Sequence, residues 1–213
     1  QHRVTLTKGF WMLETEVTQA MWEAVMGESI ETKAKQGTYG TSLYGTGSNY
    51  PMYYVSWDDC QEFCQKLRSQ GLNVQLPTEA QWEYACRAGT TTSLNNGSNI
   101  TSEKGSWYNL DEVGWYEENS DSTTHVVGQK KPNAWGLYDM HGNVCEWCQD
   151  WYDSDYYENS PTNDPTGPTS GSHRVDRGGG WNLNAKYCRS ACRFSDSPTG
   201  RGDILGFRPV LVP

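Results

Sequence analysis

Aliphatic residues are too scarce in this chain to build an ordinary core. Leu, Ile, Val and Phe supply only about 15% of the 213 residues, a level that elsewhere accompanies disorder. Ten Trp and 13 Tyr reverse that reading. Each ring buries a large area and carries one polar atom that needs a partner. Such a chain must fold around aromatic rings whose N–H and O–H groups bond to nearby backbone. Twenty-two Gly and nine Pro add tight turns and leave little room for long helices. The expectation is an α+β domain rich in irregular loop. No linker or internal repeat stands out, so residues 1–213 are read as one domain with long insertions.

Charge narrows the partners. Lys and Arg number 17 against 26 Asp and Glu, a formal net charge of −9. An acidic surface repels phosphate backbones, so nucleic acid is not an expected ligand. No apolar run approaches the roughly 18 residues of a membrane span. The numbering begins at Gln1 without a charged-then-apolar leader, and any export signal or lipid anchor is expected outside it.

Seven cysteines, at 60, 64, 86, 145, 148, 188 and 192, form an odd set that does not suit a disulfide scaffold. Cys145-Glu146-Trp147-Cys148 is a lone C-x-x-C. Zinc would need two further ligands, and the four His are scattered. Two buried, small apolar residues are expected there.

Local signals place the elements. Val4 to Leu13 reads as a strand. Thr18 caps a helix over Gln19 to Met26, closed by Gly27. Residues 28–50 show no periodicity and read as a surface loop. Ser56 opens a helix with Trp57, Cys60, Phe63, Cys64 and Leu67 on one face, ended by Gly71. Thr78 and Gln81 spell a capping box for a further helix with Trp82, Ala85 and Cys86 inward, stopped by Gly89. Residues 90–133 and 150–171 read as polar loop, the first with one or two short strands. The Asn96 and Asn99 sequons read as coincidence in a polar loop.

Four motifs recur in order: Leu76-Pro77-Thr78-Glu79-Ala80-Gln81-Trp82-Glu83-Tyr84-Ala85, then Gly136-Leu137-Tyr138-Asp139-Met140-His141-Gly142-Asn143-Val144-Cys145-Glu146-Trp147, then Arg177-Gly178-Gly179-Gly180-Trp181, then Leu205-Gly206-Phe207-Arg208. In this the chain resembles the formylglycine-generating-enzyme (sulfatase-modifying factor) family, from about Phe10 to Val210. The resemblance implies a C-type lectin-like fold with two main helices, small antiparallel sheets and much irregular chain.

Fold does not decide function. The family's catalysts oxidise a target cysteine to formylglycine with two copper-binding cysteines between the third and fourth motifs. Counted forward from Trp181, the first falls on Cys188 but the second on Arg193. Counted back from Leu205, they fall on Ala185 and Ser190. Neither register supplies both thiols, so no catalytic residue and no copper are expected. An altered pair, Cys188 with Cys192, keeps a copper-dependent oxidase as the alternative.

The chain is also similar in character to the family's ligand-binding members, the variable proteins of diversity-generating retroelements. Under that resemblance Trp181, Ala185, Cys188-Arg189-Ser190-Ala191, Arg193, Pro198, Arg201 and Leu205 to Arg208 are framework, with Arg189, Arg193 and Arg208 bonding loop carbonyls. The ligand-contacting set is Asp176, Gly180, Leu183, Asn184, Lys186, Tyr187, Cys192, Phe194, Ser195, Asp196, Ser197, Gly200, Gly202, Asp203 and Ile204, within a variable segment 176–208. Rigid aromatics among small polar residues suit a paratope; an ordinary irregular surface loop has the same composition. Arg201-Gly202-Asp203 is read as a chance tripeptide. The resemblance further implies a structural Ca²⁺ held by Asp139, Glu146 and the carbonyls of Gly142 and Val144. The competing reading has Asp139 capping a turn and Glu146 pairing with an arginine.

The expectation is therefore a non-catalytic protein that binds a macromolecular ligand, a protein, through its C-terminal face. It would be displayed on a bacterial cell surface, outside the cell, or on a phage particle.

Overall fold

The computed structural model describes residues 2–101 and 106–213. Three helices carry most of the helical content: α1 (Gln19–Met26), α3 (Trp57–Ser69) and α4 (Glu79–Arg87). Thr18 caps α1 through the Met21 amide, and Gly27 closes it in the left-handed conformation. Thr78 and Gln81 form the expected capping box of α4, and Ser56 forms another with Asp59 at α3. Each box satisfies two of the amides a helix start leaves unpaired.

Two expectations are corrected. The run from Val4 to Leu13 is a strand over only two residues, β1 (Trp11–Met12). Its first half instead meets the 160s loop, with Thr5 bridging Asn163. Residues 28–50 contain a one-turn helix, α2 (Ile30–Ala34), which buries Ile30, Lys33 and Ala34. The spacing is helical, but one turn is too short to show as a period.

Strands are brief. β2 (Val74–Gln75) and β1 both pair with β9 (Val210–Leu211), antiparallel. β3 (Gly114–Trp115) and β4 (His141–Gly142) pair in parallel. The main sheet has the order β7-β6-β5-β8, from β5 (Cys145–Trp151), β6 (Arg174–Arg177), β7 (Phe194–Asp196) and β8 (Leu205–Gly206). β8 joins β5 in parallel, while the other pairs of this sheet are antiparallel. A short helix α5 (Tyr156–Asn159) and 3₁₀ turns at Ser106–Leu110 and Ala185–Tyr187 complete the elements.

The core is aromatic, as the composition requires. Trp22 stacks on Phe63 at 5.7 Å, and Phe207 meets Phe63 edge-on at 5.1 Å. The polar atoms of buried rings tie down loops. Tyr53 Oη accepts from the Tyr44 amide and donates to the Gly45 carbonyl. Tyr54 Oη donates to Ser42, and Trp147 Nε1 to the Val55 carbonyl. Every cysteine is a free thiol, and Cys145 and Cys148 are buried.

Arginines supply what sheets do not. Arg208 is fully buried. It donates to the carbonyls of Leu13, Glu14 and Tyr138 and to the Glu146 carboxylate, with Nη2 to Oε1 at 2.9 Å. One side chain thus joins two segments, at Leu13-Glu14 and at Tyr138, to β5. Substituting Arg208 with Met should destabilise the chain by about 3–5 kcal/mol, because Glu146 and three carbonyls lose their buried partner. Urea denaturation measures this; a loss under about 1 kcal/mol would contradict the role given to Arg208.

Candidate functional site

The C-terminal segment divides into an anchored set and a presented set. Trp181, Ala185, Cys188, Ser190 and residues 205–208 are buried. Trp181 lies against Tyr44 at 4.6 Å and donates Nε1 to the Asp203 carbonyl. Arg193 grips the Glu79 carboxylate at 2.6 and 2.9 Å and the Asp153 carbonyl at 3.1 Å. Arg189 bonds the Lys186 carbonyl, although Arg189 and Ala191 are themselves exposed. Arg201 holds Asp59 at 2.9 and 3.0 Å. Its guanidinium is thus committed inward, and Arg201-Gly202-Asp203 does not display its first member.

Two anchors were not evident from sequence. Arg177, fully buried, donates to the Ser190 and Cys192 carbonyls and pairs with Glu83. His141, also buried, bonds the Cys188 carbonyl through Nδ1 at 2.7 Å and the Asn95 amide through Nε2 at 3.0 Å. Burial pushes His141 down to about 4, so the ring stays neutral and uses one nitrogen as donor and one as acceptor. Gly179, at φ +84°, permits the close approach: a Cβ there would stand 2.6 Å from Cys188 Sγ.

Of the residues expected to contact ligand, Asn184, Lys186 and Tyr187 are exposed. Tyr187 has 39% exposure, its ring 6.0 Å from Phe194 and beneath the Lys186 ammonium. Leu183, Cys192, Phe194, Ser195, Asp196, Ser197, Asp203 and Ile204 are half-buried. Leu183, Phe194 and Ile204 also pack on the main core. Asp176, Gly180, Gly200 and Gly202 are buried, and the structure places their side-chain positions away from solvent. A Cβ on Gly180 would meet Ile204 at 3.1 Å, so larger residues are crowded there.

Residues outside this segment join the same surface. Tyr39, 74% exposed, points its hydroxyl at Asp196 Oδ1 at 3.4 Å. Glu118 accepts from Asn184 Nδ2 at 3.1 Å. Nothing in the polar sequence around Tyr39 marks it. Two clefts lie away from this surface. One of about 240 Å³ is lined by His2, Tyr84, Asp150 and Tyr157 among others, and an apolar groove of about 480 Å³ by Trp11, Met21, Phe63 and Val210 among others.

At the two cysteines of the alternative reading, Cys188 and Cys192, burial pushes the thiols up, Cys188 strongly, so neither is activated as a bare nucleophile.

At the expected calcium position, Asp139 sits at φ +56° and accepts the Gly128 amide through Oδ2. Glu146 accepts from Arg208 and from Trp82 Nε1 at 2.7 Å, so its carboxylate is already neutralised. Among the described residues, Asp139 Oδ1 and both oxygens of Glu16 are buried here without a hydrogen-bond partner. Burial raises both carboxyls; the charge of Asp139 adds to it at Glu16, and that of Glu146 adds to it at Asp139. The unpaired acid beside Asp139 is therefore Glu16, which the sequence did not single out. Among the described residues no three His, Cys, Asp or Glu side chains are arranged to hold a metal. Of the four expected donors, the carbonyls of Gly142 and Val144 and the free Oδ1 of Asp139 suit a hard cation, whereas Glu146 is shared with Arg208.

Asp176 lies between Trp147 and Phe194 in the sheet register, and burial pushes it up to about 8. A raised carboxyl stabilises the fold while protonated, an effect present below the unfolded value near 4 and lost as pH rises through 8. Asp176→Asn should remove roughly 3 kcal/mol of the stability lost between pH 5.5 and 8.5. Denaturation at the two pH values measures this, and an unchanged pH slope would overturn it.

Residues 1–212 match the family model described as sulfatase-modifying factor enzyme 1-like domain. The chain is 36% identical over 168 residues to the formylglycine-generating enzyme of Streptomyces coelicolor, covering 75% of this chain and 52% of that protein. It thus spans about half the length of that relative. It superposes on Treponema denticola variable protein 1 with a TM-score of 0.82 at 33% identity, covering 99% of this chain and 86% of that one. PvdO from Pseudomonas aeruginosa gives 0.81 at 26% identity, covering 99% and 83%. Among the described residues no helix is long and apolar enough to cross a membrane. The fold, the four motifs and the match over nearly the full length agree: the chain belongs to the sulfatase-modifying factor (formylglycine-generating-enzyme-like) family.

Proposed function

We propose that this chain is a non-catalytic binding protein that presents a diversified C-terminal surface to a macromolecular ligand, a protein. The observation that carries this reading is the division of residues 181–204. Arginines, His141 and buried rings hold the backbone from beneath, while Asn184, Lys186 and Tyr187 project outward. A backbone fixed by buried partners spends little ordering entropy on binding. It also lets the projecting side chains change without cost to the core. An open face away from those two clefts suits a large partner better than a small molecule. The likeness to a protein named as a variable protein supports the same reading. Display outside a bacterial cell or on a phage particle belongs to it.

Replacing Lys186 and Tyr187 together, with Asn184 kept as the cap of the Ala185–Tyr187 turn, should change stability by less than about 0.5 kcal/mol. The same change should abolish capture of ligands recovered from a displayed peptide library. Lost stability would make this a structural face instead.

The family's enzymes favour a second reading, a copper-dependent oxidase of a target-protein cysteine using Cys188 and Cys192. Oxygen uptake on a cysteine-containing peptide with added copper, lost in Cys188→Ser, would establish it; no uptake is expected.

Calcium at Asp139, Glu146 and the carbonyls of Gly142 and Val144 is a structural proposal. Its role would be to neutralise the buried acids beside Glu16. Calcium chloride should raise the thermal midpoint of chelator-treated protein, and Asp139→Asn should abolish the rise. No shift would leave a proton shared by Glu16 and Asp139 as the compensation.

A further inference from the structure

The presented surface ends in an open strand. β7 lies at one end of the four-stranded sheet and pairs with β6 on one side. Among the described residues no protein group bonds the amides and carbonyls along its other side. An unpaired strand edge is a template for another strand. Its flanks are chemically distinct. Phe194 and Asp196 share one face, with Ser195 on the other. Tyr187 lies 6.0 Å from Phe194 at one end, and Tyr39 reaches Asp196 at the other. Asp196 also accepts its neighbour Ser197's amide, and has no ion-pair partner among the described residues.

We propose that the free edge of β7 takes an extended segment of the protein ligand as an added strand, with an apolar residue against Phe194 and Tyr187 and a basic residue against Asp196. This rests on the binding reading above and names its mode. Strand addition draws affinity from backbone hydrogen bonds and specificity from alternate side chains. That combination suits a surface whose side chains are exchanged, because the backbone contribution survives each exchange. A second copy of this chain is the other conceivable strand donor. The formal charge of −9 on each copy opposes it.

The probe is a set of 12-residue peptides selected on the intact chain from a displayed random library, then synthesised with single backbone N-methyl groups at successive positions. The expected result is about tenfold weaker binding at every second position of a central stretch, where a backbone donor is lost. Those amides of residues 194–196 that face away from β6 should gain exchange protection on binding. Selected peptides should carry an apolar and a basic residue two apart. Peptides that tolerate every N-methyl group, yet lose binding to Tyr187→Ser, would overturn strand addition and leave the binding face intact. No selected peptide, or binding indifferent to both Tyr187→Ser and Asp196→Asn, would overturn the face as well. A dimer by light scattering that dissociates in Ser195→Pro would assign the edge to self-pairing and also overturn the proposal.

Discussion

Buried guanidinium groups bonded to backbone carbonyls hold this molecule together. A chain with strands of two to seven residues leaves many peptide groups outside any ladder, and buried carbonyls without donors are costly. Arg208 serves Leu13, Glu14 and Tyr138, and Arg177 serves Ser190 and Cys192. Each guanidinium brings five fixed donors, so one side chain replaces several ladder bonds. The charges are matched by Glu146 for Arg208 and by Glu83 and Glu79 for Arg177. The aromatic rings complete the arrangement, since Trp82 donates to the same Glu146.

This architecture separates the stability of the C-terminal segment from its surface chemistry. The segment is held by what lies under it: the Arg177 fork, the neutral His141, Trp181 against Tyr44, and the Arg201–Asp59 pair. The outward side chains of residues 184, 186 and 187 contribute little to those contacts. Cys188 is buried under Gly179, and burial pushes its thiol up. Buried groups elsewhere are tuned in opposite directions. Asp176 is driven up to about 8 and His141 down to about 4, both by burial, and each is thereby kept neutral in the interior near neutral pH.

The parts legible in the sequence were those with local causes. Thr18, Thr78 and Gln81 announced two helices because capping chemistry is contained in four residues. The Ser56 cap was visible, but its reciprocal partner is Asp59 rather than the usual Glu or Gln. The four family motifs located the fold and the anchored positions of the C-terminal segment. Other parts depended on contacts distant in sequence. The partners of Arg177 lie 13, 15 and 94 positions away. Glu16 joins Asp139 only in the folded chain, and Tyr39 meets Asp196 across 157 positions. Asp176 and Gly180 looked interchangeable as residue types, yet the sheet register and Ile204 enclose them.

The central claim is that side chains beneath the C-terminal segment specify its shape while those above it are free to vary. A protease-resistance selection on two libraries tests this most directly. One library randomises Lys186, Tyr187 and Ser195; the other randomises Trp181, Ala185, Cys188 and Arg177. The account predicts that most members of the first remain resistant at the wild-type level and almost none of the second do. Comparable losses in both would contradict it.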